Sequence, residues 1–162
     1  IARQGEAVSP ALASALYRTV EMQIAVFPAL AALESMAALG VAWWLYVRVF
    51  TGEDAGLDPV TRFRFNDHLV WVMVAALLLM VVRSGDAVTR VGANLAVFMG
   101  ALYALRGVGV FVVVSGGVSL LGYALFTVGF LFAAPVVIGF MVLFGIADTW
   151  LDLRSRVGPA AN

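Results

Sequence analysis

Few side chains in this sequence can do chemistry, and the notable ones stand where charge is expensive. Arg106 is the one charged residue between Arg90 and Asp148. Glu34 interrupts an otherwise apolar run from Ile24 to Tyr46, and Asn94 places an amide in a third apolar segment. A charge inside hydrocarbon costs ~2.5–3.5 kcal/mol by insertion scales unless it meets a partner or a cavity. Glu34 and Arg106 are therefore expected to pair or, with Asn94, to share a polar cavity. Such a cavity is a ligand site in its functional form and a clamp between helices in its structural form.

Other candidates carry less chemistry. His68, the single histidine, follows Asp67 at a segment boundary, where it is read as an interfacial side chain. It could ligate a haem or chlorophyll, but one imidazole without a second ligand is a weak signal for such a site. Asp148 and Asp152 are four apart, a spacing that could hold a cation but that also ends a helix and sets Asp152 four residues before Arg156. No serine–histidine–acid set, phosphate loop or HExxH motif occurs, so no catalytic residue, metal site or cofactor is assigned and no enzyme is expected. Absence of cysteine removes disulfides and thiolate ligands together.

The elements that must position these residues are membrane helices. The chain has 162 residues, 63% hydrophobic and 12% charged, with a mean hydropathy of +1.00. Globular domains carry about twice that share of charge. Ten basic residues, all arginine, balance ten acids, which leaves no electrostatic case for nucleic acid. The expected fold is all-α: a single polytopic transmembrane bundle with about four spans, over residues 21–50, 65–82, 91–114 and 118–147. A polar segment, 1–20, precedes them and a tail, 148–162, follows.

Local signals refine that outline. Ser9-Pro10 is a helix start, with a hydroxyl for the cap and proline where no N–H is needed. Pro28 is expected to kink or break the first span near its start. Trp43, Trp44 and Tyr46 before Arg48 look like an aromatic belt with a snorkelling arginine. The charge-free part of the second span, from Leu69, is only ~21 Å of helix, short of the ~30 Å hydrocarbon core. Ser115-Gly116-Gly117 makes a tight turn, so the third and fourth spans are antiparallel neighbours. Pro135 kinks the fourth span or breaks it into half-helices.

Small residues recur on the third span at Ala93, Ala96, Gly100, Ala104 and Gly107, with Gly129 and Ala133 on the fourth. Such ridges let helices approach closely, since lipid gives helices no hydrophobic reason to associate. They serve packing within the bundle or docking to other membrane subunits.

The ending Gly145-Ile146-Ala147-Asp148-Thr149-Trp150-Leu151-Asp152-Leu153-Arg154 resembles the close of the YybS-like predicted bacterial membrane proteins, a family catalogued as a domain of unknown function, 2232. Phe63 to Trp71, and Asn94 with Tyr103-Ala104-Leu105-Arg106-Gly107, fit as well. Before that glycine the family usually has glutamine, where this chain has Arg106. The resemblance covers most of the chain and corresponds to the C-terminal half of a typical member, as expected of a window on a longer protein. The family is similar to the substrate-binding membrane components of energy-coupling-factor vitamin transporters, which implies a helical bundle that captures a small ligand. It also implies a multi-pass protein of the bacterial inner membrane.

Two functions follow as expectations. One is a small-solute binding or transport component, because broken helices and buried charges near mid-membrane are what transporters use to make sites. The alternative is a non-catalytic structural or assembly subunit in contact with lipid and other membrane proteins. With four spans, the N-terminus, the 83–90 connection and the C-terminus share one side.

Overall fold

The computed structural model describes residues 9–51, 59–82, 85–117 and 119–156. The polar start at 1–8, the turn at 52–58, Arg83–Ser84, Val118 and the tail 157–162 lie outside the described residues. Helix α1 spans Pro10–Tyr46 and closes in a π-helical turn, Val47–Thr51; α2 spans Val70–Val81, α3 Asp86–Val114, α4 Leu120–Leu151 and the short α5 Leu153–Arg156.

Helix α1 starts as its cap predicts: the Ser9 hydroxyl accepts from the Leu12 N–H at 3.3 Å, with Pro10 inside the first turn. It then runs on through Pro28 instead of breaking there. Proline removes its own bond to the Ile24 carbonyl. The adjacent pair, the Ala25 carbonyl and the Ala29 N–H, is bridged from outside by the Asn94 side chain. At the far end Tyr46 packs between Trp43 and Phe50 (ring centroids 5.9 and 5.2 Å), and the Arg48 guanidinium lies 5.5 Å from the Trp44 ring.

The second span is shorter than expected over 65–82. A 3-10 turn, Asp67–Leu69, capped by Asn66 accepting from the His68 N–H, leads into the twelve residues of α2, ~18 Å of helix. Three helices, not four, are long and apolar enough to cross a membrane among the described residues. The reason is that Arg62, Arg64 and Asp67 leave the chain before α2 in irregular backbone that packs onto α3.

Helix α3 carries the packing. Its centre forms the core with α2 and the preceding segment: Val70, Met99 and Tyr103 are buried, with Phe65 and Ile146 packed against them. Neighbours approach it at glycines. A Cβ at Gly92 would lie 2.8 Å from the Ala76 carbonyl oxygen of α2; one at Gly107 would overlap the Met141 carbonyl of α4, and one at Gly145 the Tyr103 carbonyl. One at Gly109 would overlap the Val60 carbonyl. Gly100, on the expected ridge, has open space beside it.

The turn after α3 uses left-handed backbone at Gly116 (φ 68°) and Gly117 (φ 95°), as the Ser-Gly-Gly sequence requires. Helix α4 is two helices in one run. Ala133 leaves helical geometry (φ −137°, ψ 37°) two residues before Pro135, in the turn that the proline ring crowds. The Phe111 ring lies 6.4 Å from Phe126 and 6.3 Å from Phe144. On a straight helix those two positions would be ~27 Å apart, so the halves fold toward each other across Ala133. Gly129 meets only Val137 of its own helix. Gly129 and Ala133 thus belong to the break in α4 and not to a face against α3.

The break also redirects the C-terminus. Arg154 and Asp152 meet the 59–69 segment, whereas the 86–90 turn faces the start of α1. The C-terminal end therefore does not share a side with the 83–90 connection, as four straight spans would require.

Candidate functional site

Two places gather polar side chains. The first surrounds Arg106, 1% exposed on α3. Its Nε donates to Asp148 Oδ2 at 2.9 Å and its Nη1 to Asp67 Oδ1 at 2.7 Å. Its guanidinium carbon lies 5.4 Å from the Phe65 ring, which meets Tyr103 edge-on at 5.0 Å. Glu34, the expected partner, is exposed on α1. The correction has a simple cause: α4 and the 3-10 turn deliver two carboxylates to one side of Arg106, so the acid on α1 is not needed there.

Asp148 is shared. Arg154 donates to the same Oδ2 from Nη2 at 2.8 Å and from Nε at 3.3 Å. Through Nη1 it also reaches the carbonyls of Thr61 and Phe63, at 2.9 and 3.1 Å. These bonds satisfy carbonyls that the irregular backbone of the segment leaves without a helical partner. Asp152, in left-handed backbone at the end of α4, pairs with Arg64 and not with Arg156. The Ser155 hydroxyl and the Arg64 guanidinium hold the Asp152 carboxyl below the usual carboxylate range.

The acids Asp67, Asp148 and Asp152 thus balance Arg64, Arg106 and Arg154. A balanced cluster offers no net charge to an ionic substrate, and a buried pair must be nearly fully bonded to be tolerated. Among the described residues one carboxylate oxygen of the knot, Asp148 Oδ1, is buried without a hydrogen-bond partner. The chemistry of this knot is fastening: it ties α3, the end of α4 and the 59–69 segment together.

The second place is the seam between α1 and α3. Two open grooves of about 380 and 430 Å³ adjoin there, sharing Ala25 and Arg90. The outer one is walled by Arg18 and Glu21 of α1 and by Asp86, Thr89 and Arg90 of α3. The inner one is walled by Ile24 and Pro28 of α1 and by Val91, Asn94 and Leu95 of α3. Asn94 is immobilised: its Nδ2 donates to the Ala25 carbonyl at 2.7 Å and the Arg90 carbonyl at 2.8 Å, and its Oδ1 accepts from Ala29 N–H at 2.8 Å.

Of the residues expected to share a cavity, Asn94 lines this one; Arg106 is sealed in the knot and Glu34 faces outward. Gly100 and Ala104 are half-buried on α3, and Gly107 is buried against α4. His68 is exposed. No group of three or more metal-ligating side chains gathers among the described residues.

Sequence reasoning missed Asp67 and Asp148 as partners of Arg106, and Arg154 as the second donor to Asp148. The available signal was chemical: an arginine in an apolar helix needs acids, and the acids nearest the helix ends were Asp67 and Asp148. No curated protein and no solved structure matches the chain. The family model described as predicted membrane protein (DUF2232) matches residues 3–149, in keeping with long apolar helices that interlock through α3, and the chain belongs to that family.

Proposed function

We propose that this multi-pass membrane protein is a small-solute binding component, acting without catalysis in a bacterial inner membrane, and that the α1–α3 seam is its site. The observation that carries the reading is the pair of adjoining cavities, at the turn where Pro28 removes a backbone bond and Asn94 replaces its neighbour. A volume of this size suits a small ligand, and half-open helix turns supply polar backbone at membrane depth. The family's resemblance to the substrate-binding components of energy-coupling-factor transporters points the same way.

Ala25 lines both cavities, so Ala25→Trp fills them without adding charge. Native mass spectrometry of the protein in nanodiscs should show a small-molecule adduct that Ala25→Trp removes. Stoichiometric protein subunits, with no adduct in either form, would refute the reading. A second reading, an assembly subunit, is favoured by one observation: Glu34 is an exposed carboxylate on an apolar helix. If α1 docks to another membrane protein, Glu34→Gln should weaken that complex and leave the adduct unchanged.

A further inference from the structure

Four charged side chains wall the outer cavity: Arg18 and Glu21, one turn apart on α1, and Asp86 and Arg90, one turn apart on α3. Both spacings permit an ion pair within one helix. Yet none of the four is in an ion pair among the described residues, whereas the charges around Arg106 are paired throughout. Two unpaired cations and two unpaired anions therefore face a space of about 380 Å³. Beside it lies the second groove, of about 430 Å³, lined largely by Ile24, Pro28, Val91 and Leu95.

We infer, resting on the reading above, that the ligand of this seam is a zwitterionic amphiphile, with an ammonium group beside a phosphate or carboxylate and an apolar portion attached. Arg18 and Arg90 take the anionic group as charge-assisted donors, and Glu21 and Asp86 take the ammonium. The apolar portion lies inward along Pro28 and Leu95. A purely anionic ligand meets Glu21 and Asp86, and a purely cationic one meets Arg18 and Arg90. Each leaves two like charges facing it across the groove, which is how a site rejects the wrong ligand. A phospholipid headgroup and a free amphiphile share this chemistry.

The test uses the full chain in nanodiscs of mixed phosphatidylethanolamine and phosphatidylglycerol, with lipid retention read by native mass spectrometry. A separate arm titrates glycerophosphoethanolamine and phosphatidylethanolamine against detergent-solubilised, delipidated protein by calorimetry. Phosphatidylethanolamine should be retained about tenfold over phosphatidylglycerol. Arg18→Gln with Arg90→Gln should weaken retention of both lipids and keep the preference for phosphatidylethanolamine, and Glu21→Gln with Asp86→Asn should turn it toward phosphatidylglycerol. Binding of glycerophosphoethanolamine as tight as that of the lipid identifies a free solute as the source; binding of the lipid alone identifies the bilayer. Equal retention of both lipids, or no effect of the acid-to-amide pair, overturns the zwitterion inference. If Ala25→Trp still removes a bound small molecule in that event, the seam survives as a site. If Ala25→Trp changes nothing, both readings fall. All four substituted residues are exposed, so these variants keep the fold.

Discussion

Removing Asp148 should cost more stability than removing Arg106, although the two bond each other. Asp148→Asn leaves Arg106, 1% exposed, facing Asp67 alone, and leaves Arg154 with only backbone carbonyls. Two guanidiniums then flank a neutral amide, and a buried charge stripped of its partner costs about 3–5 kcal/mol. Arg106→Met is gentler. Asp148 keeps Arg154 at 2.8 Å, and Asp67, 61% exposed, can be hydrated. The loss is then that of charge-assisted hydrogen bonds and a partly fitted side chain, about 1–3 kcal/mol. The double variant should fall short of the sum by ~0.5–3 kcal/mol, because the residues are in direct contact. Equilibrium unfolding in mixed micelles, followed by tryptophan fluorescence, measures all three. Arg106→Met as costly as Asp148→Asn, or additive losses, would refute Asp148 as the hub of the knot.

Gly107→Ala and Gly145→Ala should each cost about 1–3 kcal/mol or more, because the added methyl overlaps a carbonyl of the facing helix; Gly100→Ala, with open space beside it, should be neutral. The same unfolding assay separates them. Asn94→Leu should loosen α1 from α3 by ~0.6–2 kcal/mol, the range for polar contacts between membrane helices, and should raise amide exchange at Ala29 without altering exchange in α4; unchanged exchange at Ala29 would exclude the clamp. The Arg64–Asp152 pair adds a pH dependence of known sign. Because the Asp152 carboxyl is held low in the folded protein, its contribution is complete above the unfolded carboxylate range and is lost as pH falls through the lowered value. Melting curves of the protein and Asp152→Asn should therefore differ at neutral pH, less so in high salt, and converge in acid.

Much of the fold was legible because it is written locally. The stretch from Val91 to Ala147, holding one charge, identified membrane helices. Ser9-Pro10 marked the start of α1, and Ser115-Gly116-Gly117 and Pro135 marked the turn and the broken helix. What could not be read locally was who meets whom. Glu34 looked like the partner of Arg106 because both lie inside apolar runs, yet the true partners lie at helix ends that only the fold brings together. The ridge of small residues was read in part: of its two glycines Gly107 makes close contact and Gly100 does not, and Gly92 and Gly109, off the ridge, meet neighbours of their own. Pro28 and Asn94 were both visible, but not that one repairs the other. The misplaced C-terminus follows from counting the fourth span as one full crossing: Pro135 marked the break, but not that the chain turns back at Ala133 to bring Arg154 onto the 59–69 segment.

The fastenings are distributed unevenly over the bundle. Helix α3 is locked to α4 by backbone-close glycines at 107 and 145 and by the bonds of Arg106 to Asp148. It is locked to the 59–69 segment at Gly109 and through Asp67. Helix α2 is seated on Gly92. These contacts are dense and directional, and each resists sliding. Helix α1 is held differently. At the seam its cross-links to α3 are the two bonds of the Asn94 amide to Ala25 and Ala29, at the turn weakened by Pro28, and space lies on both sides of them. The chain thus concentrates its buried charges where α3, α4 and the 59–69 segment meet, and joins α1 to α3 at the seam through a neutral amide with open grooves beside it.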